Sequence, residues 1–303
     1  MRKIVLADTA GFCFGVDRAV NLVYSLVNDN EKVCTLGPII HNAQLVDDLK
    51  SKGVLIIDKP EQCPMGYKIV VRTHGVEKEI IEEIEKSGIS YVDATCPFVK
   101  KIHNIVKKYD SSVSVLIAGD SLHPEVKGIR SYCNGDSFVF KNENELEQII
   151  LHRHFDEKSD LICVSQTTFS QKEWKKCEKI IKKVCTNAKI FDTICNATSE
   201  RQNEAALLSE KSDAMIVIGG RHSSNTCKLR DVSSASCPSF LIETAEELKG
   251  LDLSGYDSVG VTAGASTPSV IIKEVLKTMS EEIKEKEVET TSAVTEEVVE
   301  TAE

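Results

Sequence analysis

Residues 91 to 126 read YVDATCPFVKKIHNIVKKYDSSVSVLIAGDSLHPEV. A strand-like run ends at Cys96, apolar residues at helical spacing follow, and the strand-like SVLIAG leads to Gly119, 23 residues after the cysteine, with His123 four further on. The same order occurs twice more. In DTAGFCFGVDRAV (residues 8–20) and the run after it, Cys13 is followed by Gly37 after 24 residues and by His41 four later. In KIFDTICNATSERQ (189–202), Cys195 is followed by Gly219 after 24 residues and by Ser223 four later. Each copy then reaches a further apolar run that ends in small polar residues: IVVRTHGV with His74, LICVSQTTFS with Thr167 and Thr168, and SVGVTAGAST with Ser266. Strands alternating with helical segments indicate parallel α/β units. The expected divisions are a first unit over 1–97 carrying Cys13, a second over 98–193 preceded by Cys96, and a third over 194–280 carrying Cys195. In such sheets ligands bind beyond the C-terminal ends of the strands, where the shared thiols and polar side chains fall.

Cys13 lies between Gly11-Phe12 and Phe14-Gly15, ahead of a helical pattern of Val16, Ala19, Val20 and Val23. A helix N-terminus lowers a thiol pKa, so the position suits a thiolate that binds a metal or attacks a substrate. The plain alternative for any single cysteine is a small core residue. Repetition separates the three: equivalent Cys13, Cys96 and Cys195 can meet at one point, whereas the other eight cysteines lack that equivalence and are expected in the core or on the surface. Those are Cys34 and Cys163 in strand-like runs, Cys177 and Cys185 in a helical stretch, and Cys63, Cys133, Cys227 and Cys237 in or near loops. None of the 11 forms a C-x-x-C pair, which removes zinc-ribbon, thioredoxin and ferredoxin signatures. Three thiolates with no fourth partner suit three irons of a cubane cluster with the fourth iron open, or a catalytic zinc with one open position.

Around that point the repeat places His41, His74, His123, Thr167, Thr168, Ser223, Ser224, Asn225 and Ser266. Imidazole, hydroxyl and amide donors near helix starts make a compact anion site without Lys or Arg, of a kind that takes phosphate or diphosphate. Taken singly, each is an ordinary helix cap or solvated loop residue. Glu125, two residues after His123, can deliver protons if burial raises its pKa. Asp93 and Asp192, each three residues before a cysteine of the trio, are expected to hold loop amides. His103, His152 and His154 lie outside the pattern.

The charge is −10, of which residues 281–303 contribute −7 through nine Glu against Lys284 and Lys286. That segment is expected to be a disordered acidic tail. The remaining body, at −3, gives no electrostatic footprint for nucleic acid or membrane. Apolar runs such as VSVLIAG are too short for a membrane span, and MRKIVLADTAG has no signal-peptide pattern, so a cytoplasmic protein is expected.

The series GFCFGVDRAV, HN at His41, HGV at His74, DATCPFVKKIH, HPEV, QTTFS, CNATSERQ, SSNT and GVTAGAST resembles, in order from about Ile4 to Leu276, the motifs of the 4-hydroxy-3-methylbut-2-enyl diphosphate reductase family. The resemblance implies an α/β fold of three similar domains in a pseudo-threefold cloverleaf around a [4Fe–4S] cluster. It implies reductive removal of the substrate hydroxyl to give isopentenyl and dimethylallyl diphosphate, the last step of the non-mevalonate isoprenoid pathway. Carried over by position, the cluster ligands are Cys13, Cys96 and Cys195, and the diphosphate contacts are His41, His74, His123, Ser223, Ser224, Asn225 and Ser266. Glu125 is then the proton-relay acid, with His123 beside it, and Thr167 lies near the substrate hydroxyl. Two local departures, Arg221-His222 and Thr73, touch none of these positions. Ferredoxin or flavodoxin is the implied electron donor. Lysines at 100, 101, 107 and 108 and at 172, 175, 176, 179, 182 and 183 are the basic stretches that could steer one. A quinolinate synthase-like enzyme would share the three thiolates without needing the Ser-Ser-Asn and Ser266 clamp. A non-catalytic iron–sulfur sensor would need neither that clamp nor a proton-relay Glu.

Overall fold

The computed structural model describes residues 2–281, so the expected acidic tail lies, after its first residue, outside the described residues. The first half of the chain runs β1 (Lys3–Leu6), α1 (Phe14–Asn28), β2 (Val33–Leu36), α2 (Ala43–Ser51), β3 (Leu55–Ile57), β4 (Lys68–Val71), α3 (Lys78–Ser87), β5 (Tyr91–Asp93), α4 (Pro97–Lys107), β6 (Ser114–Ala118), α5 (Pro124–Ser131) and β7 (Ser137–Phe140). The second half continues α6 (Glu143–Arg153), β8 (Leu161–Ser165), α7 (Gln171–Val184), β9 (Lys189–Ile190), α8 (Asn196–Ser209), β10 (Ala214–Ile218), α9 (Ser224–Ser233), β11 (Ser239–Ile242) and β12 (Ser258–Ala263). A further helix covers 269–281, where the described residues end.

These strands form three parallel four-stranded sheets, ordered β3-β2-β4-β5, β7-β6-β8-β9 and β1-β12-β10-β11. Central strands such as LICVS in β8 and AMIVI in β10 are buried at every position, because helices cover both faces of a parallel sheet and leave no solvent side for polar alternation. Prolines at the first position of α4 and α5 preset the helical φ where no amide hydrogen is needed.

Two compact units result. One, Cys13–Gln202, holds the first two sheets. Its apolar clusters include Ile69, Val71 and Ile84 beside the first, and Ile102, Val115, Ile117 and Val126 beside the second. The other combines Met1–Phe12 with residues from Asn203 onward and holds the third sheet, packed on Ile216, Val259, Ile271 and Val275. The sequence reading groups Lys3–Leu6 with the first α/β unit, but its hydrogen-bonding partner is β12, with Lys3 opposite Ser258 and Leu6 opposite Val261. One rule covers all three sheets: the edge strand that precedes each Cys of the trio belongs to the sheet of the repeat before it. β5 leads to Cys96, β9 to Cys195, and β1, completing the third sheet, leads to Cys13.

Candidate active site

Register decides which loops leave each sheet together. In the first sheet Leu36 lies opposite Val71, so the turns at Gly37 and Arg72 start side by side and carry His41 and His74 to one place. Gly37 has φ +71°, a conformation that favours glycine, and a Cβ on it would stand 2.5 Å from Arg72 Nη1. In the second sheet Ala118 lies opposite Ser165, which sends the loop to His123 and Glu125 alongside the loop to Thr167. In the other compact unit Ile218 lies opposite Ala263, and the paired loops carry Ser223 and Ser266.

Within the unit Cys13–Gln202 the three histidines meet. Ring centroids are 4.7 Å apart for His41 and His74, 5.3 Å for His74 and His123, and 6.1 Å for His41 and His123. Burial holds the His74 pKa well below the usual histidine value, helped by the neighbouring imidazoles and the Arg72 charge. Burial also brings His123 down to about 4, with His41 and Arg72 acting the same way against Asp120. Both rings are therefore neutral at pH 7 and offer N–H donors. The ligand nitrogens of the three lie within 4.8 Å of one another, close enough to hold one metal ion. The His123 tautomer argues for an anion instead: Nδ1 accepts the Glu125 amide at 3.2 Å, which leaves the proton on Nε2 as a donor and removes that lone pair from metal binding.

Arg72 is a charged neighbour of the histidines that the sequence reading missed, since it expected an anion site without arginine. It follows β4, its Nε donates to the Gly75 carbonyl at 3.4 Å, and its charge reaches His74 and His123. The available signal was its place two residues before His74 in a repeat-aligned loop.

Glu125 is only 1% exposed at the start of α5. Its carboxylate accepts the Thr167 amide at 2.6 Å on Oε1 and the Thr167 hydroxyl at 2.9 Å on Oε2. Burial raises its pKa from 4.5 to about 7, against the pull of those two donors. The Thr167 carbonyl in turn accepts the Cys195 amide at 3.0 Å, so carboxyl, threonine and cysteine form one hydrogen-bonded line. Thr168 is turned to Gln166, whose Nε2 donates to its hydroxyl at 2.9 Å.

The trio of thiols stands at helix starts, with Cys13 at the N-cap of α1, Cys96 at the N-cap of α4, and Cys195 one residue before α8. Cys96 Sγ packs against the first turn of α1, 2.6 Å from where a Cβ on Gly15 would stand. Arg18 of α1 secures the approach to Cys96 by donating to the Ala94 and Thr95 carbonyls at 2.9 and 2.7 Å. The expected lowering of thiol pKa is corrected for two of the trio: burial raises Cys96 and Cys195, outweighing the amides of Phe98 and Val99 at one and of Ala197 and Thr198 at the other. Cys13 adds to the rise at both, and Cys195 at Cys96. Sulfurs that repel one another as thiolates form a donor set that a cationic centre would stabilise. Among the described residues, the group whose ligand atoms lie close enough together for a single ion is the three histidines. Asp93 accepts the Thr95 amide at 2.9 Å and pairs with Lys100 at 2.7 Å, and Asp192 accepts the Ile194 amide at 3.3 Å, as expected of loop-fixing carboxylates.

In the other unit Ser223 caps α9 by accepting the Thr226 amide, and Ser224 and Asn225 form the first turn. Asn225 is 4% exposed, with no hydrogen-bond partner for either polar atom of its side-chain amide among the described residues. Ser266 follows β12 and is buried.

The fold and site define an α/β protein of three parallel sheets that carries a cysteine trio and a histidine trio beyond its strand ends. The chain belongs to the LytB family, whose model, described as LytB protein, matches residues 4–280. It is 42% identical over 281 residues to the 4-hydroxy-3-methylbut-2-enyl diphosphate reductase of Caldanaerobacter subterraneus subsp. tengcongensis, covering 91% of this chain and 96% of that one. The reductase of Clostridioides difficile is 38% identical, over 90% of this chain and 98% of its own. The solved structure of an (E)-4-hydroxy-3-methyl-but-2-enyl diphosphate reductase, described as the terminal enzyme of the non-mevalonate pathway, is 38% identical with a TM-score of 0.65, covering 93% of this chain and all of that one. The Plasmodium falciparum reductase structure is 26% identical with a TM-score of 0.84, covering 91% and 87%.

Proposed function

We infer that this chain is a reductase of the non-mevalonate isoprenoid pathway that removes the hydroxyl of 4-hydroxy-3-methylbut-2-enyl diphosphate, yielding isopentenyl and dimethylallyl diphosphate. The observation that carries the residue assignment is the buried Glu125, hydrogen-bonded through Thr167 to the backbone of Cys195. The overall change takes two electrons and two protons and releases water. Cys13, Cys96 and Cys195 are the proposed ligands of a [4Fe–4S] cluster, which when bound supplies a Lewis-acidic iron and the route for the electrons. His41, His74 and His123 donate hydrogen bonds to the diphosphate, with Arg72 behind them supplying the positive charge that the neutral His74 and His123 rings lack. Ser223, Ser224, Asn225 and Ser266 are further proposed diphosphate contacts, carried by the family resemblance. Holding the diphosphate orients the allylic end and retains a reactive species formed there. Glu125, protonated below about pH 7, is the acid that lets oxygen leave as water, and Thr167 positions its carboxyl.

Among the described residues no helix is long and apolar enough to cross a membrane. A cytoplasmic enzyme reduced by a ferredoxin or flavodoxin, with no nucleic-acid partner, completes the proposal.

The test is anaerobic purification followed by turnover of the hydroxylated C5 diphosphate with a strong artificial one-electron reductant. The expected result is brown protein that forms both isomeric products, while Cys96→Ser is colourless and inactive. Brown protein that binds a partner but turns over nothing would support the sensor reading instead.

A further inference from the structure

A second group of sulfurs lies outside the site. Cys34 is fully buried in the middle of β2, and Cys63 sits in the loop that leads toward β4. The Cys34 S–H donates to Cys63 Sγ at 3.4 Å and lies 3.7 Å from the Lys68 carbonyl oxygen, and Cys63 Sγ lies 3.7 Å from that of Tyr67. The two belong to one apolar cluster with Leu36, Ile57, Ile69 and Val71, yet their surroundings differ. Cys34 has core on every side, whereas Cys63 lines an open surface cleft with Met65, Tyr67, Lys68 and Ser87, in which Met65 is fully exposed.

We propose that Cys34 and Cys63 are a reversible dithiol that low-molecular-weight disulfides, entering by this cleft, close into an intramolecular disulfide. The sequence reading left both cysteines as core or incidental surface, and the proposal does not depend on the assigned chemistry of the site. The accessible partner reacts first: the Cys63 thiolate attacks one sulfur of the oxidant, the S–S bond of the oxidant breaks, and one thiolate leaves, giving a mixed disulfide on Cys63. Cys34 then loses its proton to solvent or to the departed thiolate, its sulfur attacks Cys63 Sγ, and the second small thiol leaves. Two protein thiols have lost two electrons and two protons, and one small disulfide has become two small thiols. This order follows from the environment as well as from access. Burial, and then the Cys63 sulfur beside it, raise the Cys34 pKa to about 12, so Cys34 stays protonated while the accessible Cys63 reacts. Closure needs the sulfurs to approach by a little over an ångström from 3.4 Å, and the Cys63 side moves more readily because it lies in a loop and not in a central strand. The resulting covalent loop runs from β2 through α2 and β3 and contains His41.

The experiment incubates anaerobic, cluster-loaded full-length protein with glutathione disulfide, alkylates the remaining thiols, and maps the peptides by mass spectrometry. The expected product is a Cys34–Cys63 linked peptide that disappears on reduction, together with an upward shift in the thermal unfolding midpoint. In Cys34→Ser, glutathione should remain on Cys63 as a stable adduct. In Cys63→Ser, Cys34 should be alkylated only after unfolding and carry no glutathione, with turnover on the artificial reductant unchanged. A wild-type protein that keeps a stable glutathione adduct on Cys63, or in which both thiols stay free while other cysteines react, would overturn the proposal.

Discussion

Glu125 is a carboxyl group kept near its neutral form by burial, and that state has consequences at the level of one side chain. Its folded pKa, about 7, lies above the ordinary 4.5, so the stability it contributes is fully present below pH 4.5 and is lost as pH rises through 7. Gln is neutral at every pH, and its amide can meet both Thr167 groups. Glu125→Gln is therefore expected to be more stable than wild type at pH 8, by up to about 3 kcal/mol, with the difference vanishing near pH 4.5, as read by denaturant unfolding across that range. Turnover should fall at least about a hundredfold with substrate affinity kept, because a proton source is lost and the anion contacts are not. In wild type, turnover should decline above pH 7 as Glu125 ionises, and the residual activity of the variant should lack that limb. At this scale the sequence anticipated which histidines come together, because His41, His74 and His123 occupy repeat-related loops. It was silent on Arg72, which has no counterpart at the matching position of the other copies, and on the burial that reverses the expected thiol pKa shift, since desolvation comes from residues remote in sequence.

Between elements, a contact of narrow tolerance is that of α1 with the cysteine opening α4. Gly15 sits in the first turn of α1 and is buried, and Cys96 Sγ occupies the space its side chain would fill. Gly15→Ala leaves helix formation intact, since Ala is the better helix former by about 1 kcal/mol, but it places a methyl 2.6 Å from that sulfur. The expected outcome is a folded protein with unchanged far-UV circular dichroism that is purified anaerobically without brown colour. Full colour and activity would show that the sulfur has room to move. The helices and strands themselves were readable from periodicity and from the small polar residues at strand ends. The home of β1 was not, because pairing with β12 is set by contacts at the far end of the chain while the local pattern of KIVL specifies only a strand.

For the molecule as a whole, the body is near neutrality and its lysines differ in what holds them. Lys176 is engaged by Glu143 and Glu173 at 3.0 and 3.4 Å, and Lys182 by Glu178 at 2.5 Å, whereas Lys175 and Lys179 are exposed on α7. If an acidic electron donor is steered by this face, reversing Lys175 and Lys179 to Glu should slow reduction by ferredoxin severalfold at low salt and leave turnover with a small reductant unchanged. Equal slowing of both would place the fault in the enzyme and not in docking. The strand hand-over between sheets has a further consequence, in time. The backbone partners of β1 lie about 254 positions on, as in the bond from the Lys3 amide to the Asp257 carbonyl, so at roughly 5–20 residues per second the first strand spends on the order of 10–50 s of synthesis without its sheet. An emerging polypeptide therefore carries an unpaired strand edge just ahead of the Cys13 thiol until β12 has been made.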